Sequence, residues 1–101
     1  MREIDFMRIT FLESDKRCYV TGERIPLFDP YCMSHVLGKG AHPDWRTKEG
    51  NMVLMTRPVH DDWHSGMTWQ QLMHKDRRWY KFLKLYAFLK IVYSRENYNH
   101  D

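Results

Sequence analysis

Two short apolar runs, CMSHVL at residues 32–37 and NMVLM at residues 51–55, are separated by GKGAHPDWRTKEG and followed at once by TRPVHDDWHSG. This order constrains the fold more than any other feature of the chain. Both runs are too short for an ordinary helix and are bounded by glycine or other turn formers, so each is expected to be a short strand. The segment between them carries three glycines and a proline and reads as an exposed loop. TRPVHDDWHSG reads as one compact helix. Thr56 can cap it, and Pro58 falls in the first turn, where its missing N–H costs nothing. Asp61 and Asp62 lie near the positive end of the helix dipole, and Gly66 is a natural terminator.

Outside this segment the patterns are simpler. IDFMRITF has strand-like composition, with Met7, Ile9 and Phe11 alternating with polar neighbours. KRCYVTGERIP reads as a strand entering a turn at Thr21 and Gly22, a hairpin closed by Ile25. PLFDPYC is a loop, because two prolines in five residues exclude helix. TWQQ supplies a second helix start, a capping box from Thr68 to Gln71. From there to about Ser94 the chain reads as one long helix, with Leu72, Trp79, Phe82, Leu83, Tyr86, Leu89 and Tyr93 on one broad face. RENYNHD is expected to fray. At 101 residues, with 43% hydrophobic and 15% aromatic content, the chain is expected to be one α+β domain over residues 1–101 with a packed core. Its strand–loop–strand–helix part covers about residues 32–66, and the basic, aromatic helix about residues 68–94.

Composition removes several function classes. No apolar run approaches the roughly 18 residues of a membrane span, and MREIDFMRITF carries acidic residues and does not read as a signal peptide. A cytoplasmic protein without a membrane partner is expected. Cys18 and Cys32 are too few for a disulfide scaffold or a cysteine-rich zinc site, and two free or buried thiols are expected. The net charge of +3 is uneven, with seven Lys/Arg against three Asp/Glu in residues 67–101. That excess hints at a polyanionic partner.

The histidines carry the chemistry. His60 and His64 are at i and i+4, so one helix would direct both imidazoles toward one spot, as two ligands sharing a metal ion require. The ordinary alternative for such a pair is two solvent-facing histidines. His35 sits on the first strand, either as a hydrogen-bonded core or edge residue or as a general base, since an imidazole accepts protons near neutral pH. Asn51 opens the second strand, as a plain turn residue, as a tie for the preceding loop, or as an orienter of His35.

The order of Ser34-His35, Asn51, His60 and His64 resembles the HNH endonuclease family with its ββα-metal motif. Asn51 lies sixteen positions after His35, His60 nine after Asn51, and His64 four after His60. The H-x-x-x-H ending is similar to the colicin-type branch, and HVLGKGAHPDWR is more like small stand-alone HNH proteins of bacteriophages. The resemblance covers roughly residues 17–66. It implies a metal-dependent endonuclease that nicks or cleaves DNA by phosphodiester hydrolysis, acting in the cytoplasm of a bacterial host cell. It also implies that His60 and His64 hold one divalent ion, Mg2+, Mn2+, Ni2+ or Zn2+. His35 would then be the base, Asn51 the residue that orients His35 or pins the loop, and Lys39 or Arg46 a cation beside the phosphate.

The chain departs from the family pattern twice. Ser34 stands where family members commonly have Asp or His, and Cys18 stands alone with Thr21 where the partner of a CxxC pair would fall. The first departure motivates a second reading: a catalytically silent HNH-like module that binds nucleic acid or inhibits a host protein.

His74, Arg77, Arg78, Lys81 and Lys84 cluster on one side of the expected long helix. A solvated face is the ordinary explanation; beside a nuclease motif the stripe becomes a phosphate-contact surface. The aromatics Trp69, Trp79, Tyr80, Phe82, Tyr86, Phe88 and Tyr93 are expected to be mostly core. They outnumber what one helix needs, which points to a homodimer through this helix, with Phe88 as its best marker.

Overall fold

The two apolar runs form the strands their composition predicts. The structure is a computed structural model and describes residues 1–38 and 43–98. Strand β1 is Met33–His35 and strand β2 is Met52–Leu54. They pair antiparallel, with Met33 opposite Leu54, Ser34 opposite Val53 and His35 opposite Met52. All three residues of β2 are buried, so the ribbon is covered on both faces and does not alternate in and out of solvent.

Helix α1 spans Glu3–Glu13, which corrects the strand expected at IDFMRITF and replaces the N-terminal strand of the expected fold with a helix. Met7 and Phe11 satisfy both periods, two apart through Ile9 or four apart on a helix. Burial decides between them: Phe11 is buried while Ile9 and Leu12 are exposed, as a helical face requires. Glu3 and Asp5 in the first turn suit the dipole. Ser14 ends the helix by donating its hydroxyl to Phe11 O at 2.7 Å.

Residues 17–25 make the expected turn. Arg17 and Arg24 form an isolated antiparallel bridge, and Gly22, at φ +76, donates its N–H to Cys18 O at 2.8 Å. The turn joins the ribbon through Tyr19 N–H, which donates to Leu54 O at 2.7 Å.

Helix α2 runs Arg57–Trp63, with Pro58 in its first turn and His64 as C-cap. Gly66 follows in the left-handed region at φ +85, where glycine alone is unstrained. Thr56 occupies the N-cap position, yet its hydroxyl makes no cap bond and lies 3.9 Å from Cys18 Sγ instead.

The single helix expected over residues 68–94 is two helices. Helix α3, Trp69–Lys75, opens with the Thr68 and Gln71 capping box. Helix α4, Trp79–Tyr98, carries the chain four residues past the expected end at Ser94. Asp76 makes the break: its backbone is extended and its carboxylate accepts from Arg78 N–H at 2.9 Å. A short acceptor side chain placed there competes with the helical ladder and starts the next helix instead.

The core lies between α1, the ribbon and the three C-terminal helices. Leu37, Met55, Leu72, Trp79 and Phe82 are fully buried, each contributing roughly 1.5–3 kcal/mol of transfer free energy. Trp63 locks α2 onto α4, with ring centroids 4.6 Å from Phe82, 5.7 Å from Tyr86 and 6.2 Å from Trp79. Among the described residues no helix is long and apolar enough to cross a membrane.

Candidate active site

Asn51 is fully buried and bonds to described residues on both sides of the segment between the strands. Its Oδ1 accepts from Leu37 N–H at 2.8 Å, and its Nδ2 donates to Trp45 O at 2.9 Å and to Leu37 O at 3.2 Å. Its own carbonyl accepts from Val36 N–H at 2.9 Å. One side chain thus ties the exit of β1 to the short helical turn Pro43–Trp45. Of the roles open from sequence, the bonds are those of a loop tie, and they reach backbone rather than the His35 ring.

The tied loop in turn sets His35. Its Nε2 lies 2.8 Å from Arg46 O. A carbonyl only accepts, so Nε2 carries the hydrogen, and in the neutral ring Nδ1 keeps the lone pair. Asn51 therefore acts on His35 through the loop.

On α2, Val59 is buried and Trp63 is packed among aromatics. This places the neighbouring stripe, His60 and His64, on the cleft side. Their ring centroids are 4.4 Å apart. Burial first, and then the neighbouring His64, hold the His60 imidazole below the ordinary histidine range, which favours the neutral, ligand-competent form.

His35, His60 and His64 all line one cleft of about 550 Å³, together with Ser34, Glu3 and Tyr86. The structure thus brings the three sequence-selected histidines to a single opening. Ser34 is 1% exposed and its Oγ has no hydrogen-bond partner; a buried hydroxyl without a partner is costly and calls for an explanation. Two imidazoles on one helix offer an ion two nitrogens, with the remaining positions left to water or a ligand. Among the described residues no group of three His, Cys, Asp or Glu side chains is gathered closely enough to hold a metal. Two imidazoles leave an ion's other positions to water or a ligand, so the donor set does not make a closed structural site.

The cysteine departure also has a structural account. Cys18 and Cys32 are free thiols. Burial by itself pushes the Cys18 thiol up, and hydrogen bonds with the Thr21 hydroxyl and with backbone groups of Thr21, Thr56 and Val20 more than reverse this, leaving it below the usual thiol range. Thr21 and Thr56 thus supply polar partners to the Cys18 sulfur.

The other sequence-selected site residues that the structure describes do not line the histidine cleft. Lys39 lies outside the described residues, as does His42. Arg46 is exposed and contributes its carbonyl to His35. Arg78 is a clamp, donating to Asp76 from Nε and Nη2 at 3.0 and 2.8 Å and to Thr21 O from Nη1 at 2.8 Å. Arg77 and Lys81 are exposed near it, while Lys84 lies over the Tyr80 ring at 5.4 Å beside an apolar groove lined by Trp69 and Met73. Phe88 is 60% exposed. Sequence reasoning missed Glu3 and Tyr86 in the histidine cleft. Glu3 had no local signal there, because it reaches the cleft only through a helix whose pattern also fits a strand. The chain matches no protein-family model, no curated protein and no solved structure.

Proposed function

We propose that the protein is a small metal-dependent nuclease of the HNH type that nicks or cleaves DNA. The observation that carries this reading is the shared cleft: His35, whose Nε2 is bonded to Arg46 O, and the His60/His64 pair line the same opening. A divalent ion held by His60 and His64 would polarise a phosphodiester and stabilise the leaving oxygen. His35 would accept the proton of the attacking water at Nδ1, while Nε2–H stays bonded to Arg46 O. Asn51 would keep that carbonyl in place by holding Trp45 and Leu37. Met33 and Val36 add apolar surface to the lining of the cleft, which strengthens electrostatic interactions there.

A second reading follows from Ser34. With a hydroxyl before the base histidine and only two imidazoles for an ion, the same cleft suits a catalytically silent module that binds nucleic acid or a host protein. The two separate in one experiment. Calorimetric titration with Mn2+, Ni2+, Zn2+ and Mg2+ is paired with nicking of supercoiled plasmid by wild type, His60→Ala and His64→Ala. The nuclease reading expects an ion to bind, activity to depend on it, and both variants to lose both properties. Binding of DNA or a partner with no ion bound and no nicking establishes the second reading.

A further inference from the structure

A second cleft, of about 490 Å³, opens between the residue 17–24 turn and the break between α3 and α4. It shares no lining residue with the histidine cleft. Arg17, Arg77, Arg78 and Lys81 surround it with the rings of Tyr19 and Tyr80, and Asp15 is its one carboxylate among the described residues.

The cations divide by what they are already bonded to. Arg78 builds the cleft. Its guanidinium is held by Asp76 and by Thr21 O, so it joins two segments far apart in sequence and has little left for a ligand. Arg17 gives one donor to Gly22 O at 3.0 Å and keeps the others. Among the described residues Arg77 makes no side-chain hydrogen bond or ion pair. Lys81 only rests its ammonium 4.2 Å above the Tyr19 ring. Three cations with unspent donors thus surround one concavity whose rim also presents Tyr80, 59% exposed.

We propose that this cleft grips the phosphodiester backbone of a nucleic-acid strand, with Arg17, Arg77 and Lys81 as the phosphate donors and Tyr80 as a stacking face. Guanidinium forks suit phosphate oxygens, and an aromatic face beside them suits a base more than an acidic side chain. The grip rests on nucleic acid being the partner and does not depend on hydrolysis. It also narrows the basic stripe expected from sequence: Arg78 becomes structural, Lys84 lies beside the apolar groove, and Arg17 joins from the other end of the chain.

The test is fluorescence anisotropy of a labelled 20-nucleotide DNA, single-stranded and duplex, titrated with the full chain in chelator so that no cleavage intervenes. Arg77→Ala/Lys81→Ala should weaken binding at least ~10-fold and reduce the salt slope by about 2. Circular dichroism should be unchanged, because both side chains are exposed. The control Lys48→Ala/Lys75→Ala removes two cations already paired with Glu96 and Asp62 and should change the dissociation constant less than twofold. An equal loss in the control, no binding by wild type, or displacement by polyglutamate as readily as by unlabelled DNA at equal charge would overturn the proposal. Wild-type binding without nicking in metal would count against the nuclease reading and leave the grip standing.

Discussion

Asn51 and Leu37 exchange two hydrogen bonds in the interior, Leu37 N–H to Asn51 Oδ1 at 2.8 Å and Asn51 Nδ2 to Leu37 O at 3.2 Å. With the third bond to Trp45 O, one side chain ties Leu37 to the turn beside Arg46, whose carbonyl meets His35. Asn51→Ala leaves three buried backbone groups without their partner, so a loss of about 2–4 kcal/mol in urea unfolding is expected. Asn51→Asp keeps the acceptor, loses both Nδ2 bonds and buries a charge, and is expected to be no milder. A wild-type urea midpoint for Asn51→Ala would remove the loop from the account of His35.

Ser34 gives a prediction of opposite sign. Its Oγ is buried without a partner, so Ser34→Ala removes a desolvated hydroxyl at almost constant volume. Stability is expected to be unchanged or to rise by about 1 kcal/mol. Destabilisation beyond 1 kcal/mol would mean that the hydroxyl is bonded. Ser34→Asp adds a carboxylate to the cleft that holds His60 and His64, and calorimetry should then show tighter divalent-ion binding together with lower stability in the ion-free protein.

Much of the site could be read from the sequence, and the reasons are local. The strands around His35 and after Asn51 are short apolar runs, the first ending before Gly38 and the second following Gly50, and the His60/His64 pair needs only helical spacing to share a face. What escaped depends on contacts between distant segments. Met7, Ile9 and Phe11 fit a strand until Ile9 is seen to face solvent, so the helix that brings Glu3 to the cleft stayed hidden. The break at Asp76 was hidden because the apolar face continues across it, from Leu72 to Trp79. Its signal was the short acceptor side chain of Asp76 two residues before Arg78, a local bond the periodicity overrode. Arg17 has no sequence link to Arg77 at all; Arg78 supplies the link by bonding Thr21 O.

The packing of α4 is expected to carry the fold. Phe82 is fully buried and meets Trp63, Trp79 and Tyr19 edge to face. Phe82→Ala should cost about 3–5 kcal/mol, read from thermal or urea unfolding. A loss below 1 kcal/mol would mean that α4 is not docked as described.

Acid should act through His60. In the native state its proton affinity is lowered, mainly by burial, from the ordinary value of 6.5. Between that value and the lower native one the unfolded chain binds more protons, so stability rises with pH across this window. The contribution is present above pH 6.5 and is lost as pH falls through the native value. His60→Gln should flatten that part of a stability-versus-pH curve; an unchanged curve would place the acid response elsewhere. Divalent-ion affinity should fall over the same range, because the ligand must be neutral.

The central claim is that His35 takes the proton from the attacking water at Nδ1. The most direct measurement is the rate of plasmid nicking in Mn2+ by wild type and by His35→Ala at equal folded concentration. A loss of about 10²–10⁴-fold, with wild-type activity abolished by chelator, is predicted. Equal rates for the two proteins, or nicking that survives the chelator, would contradict it.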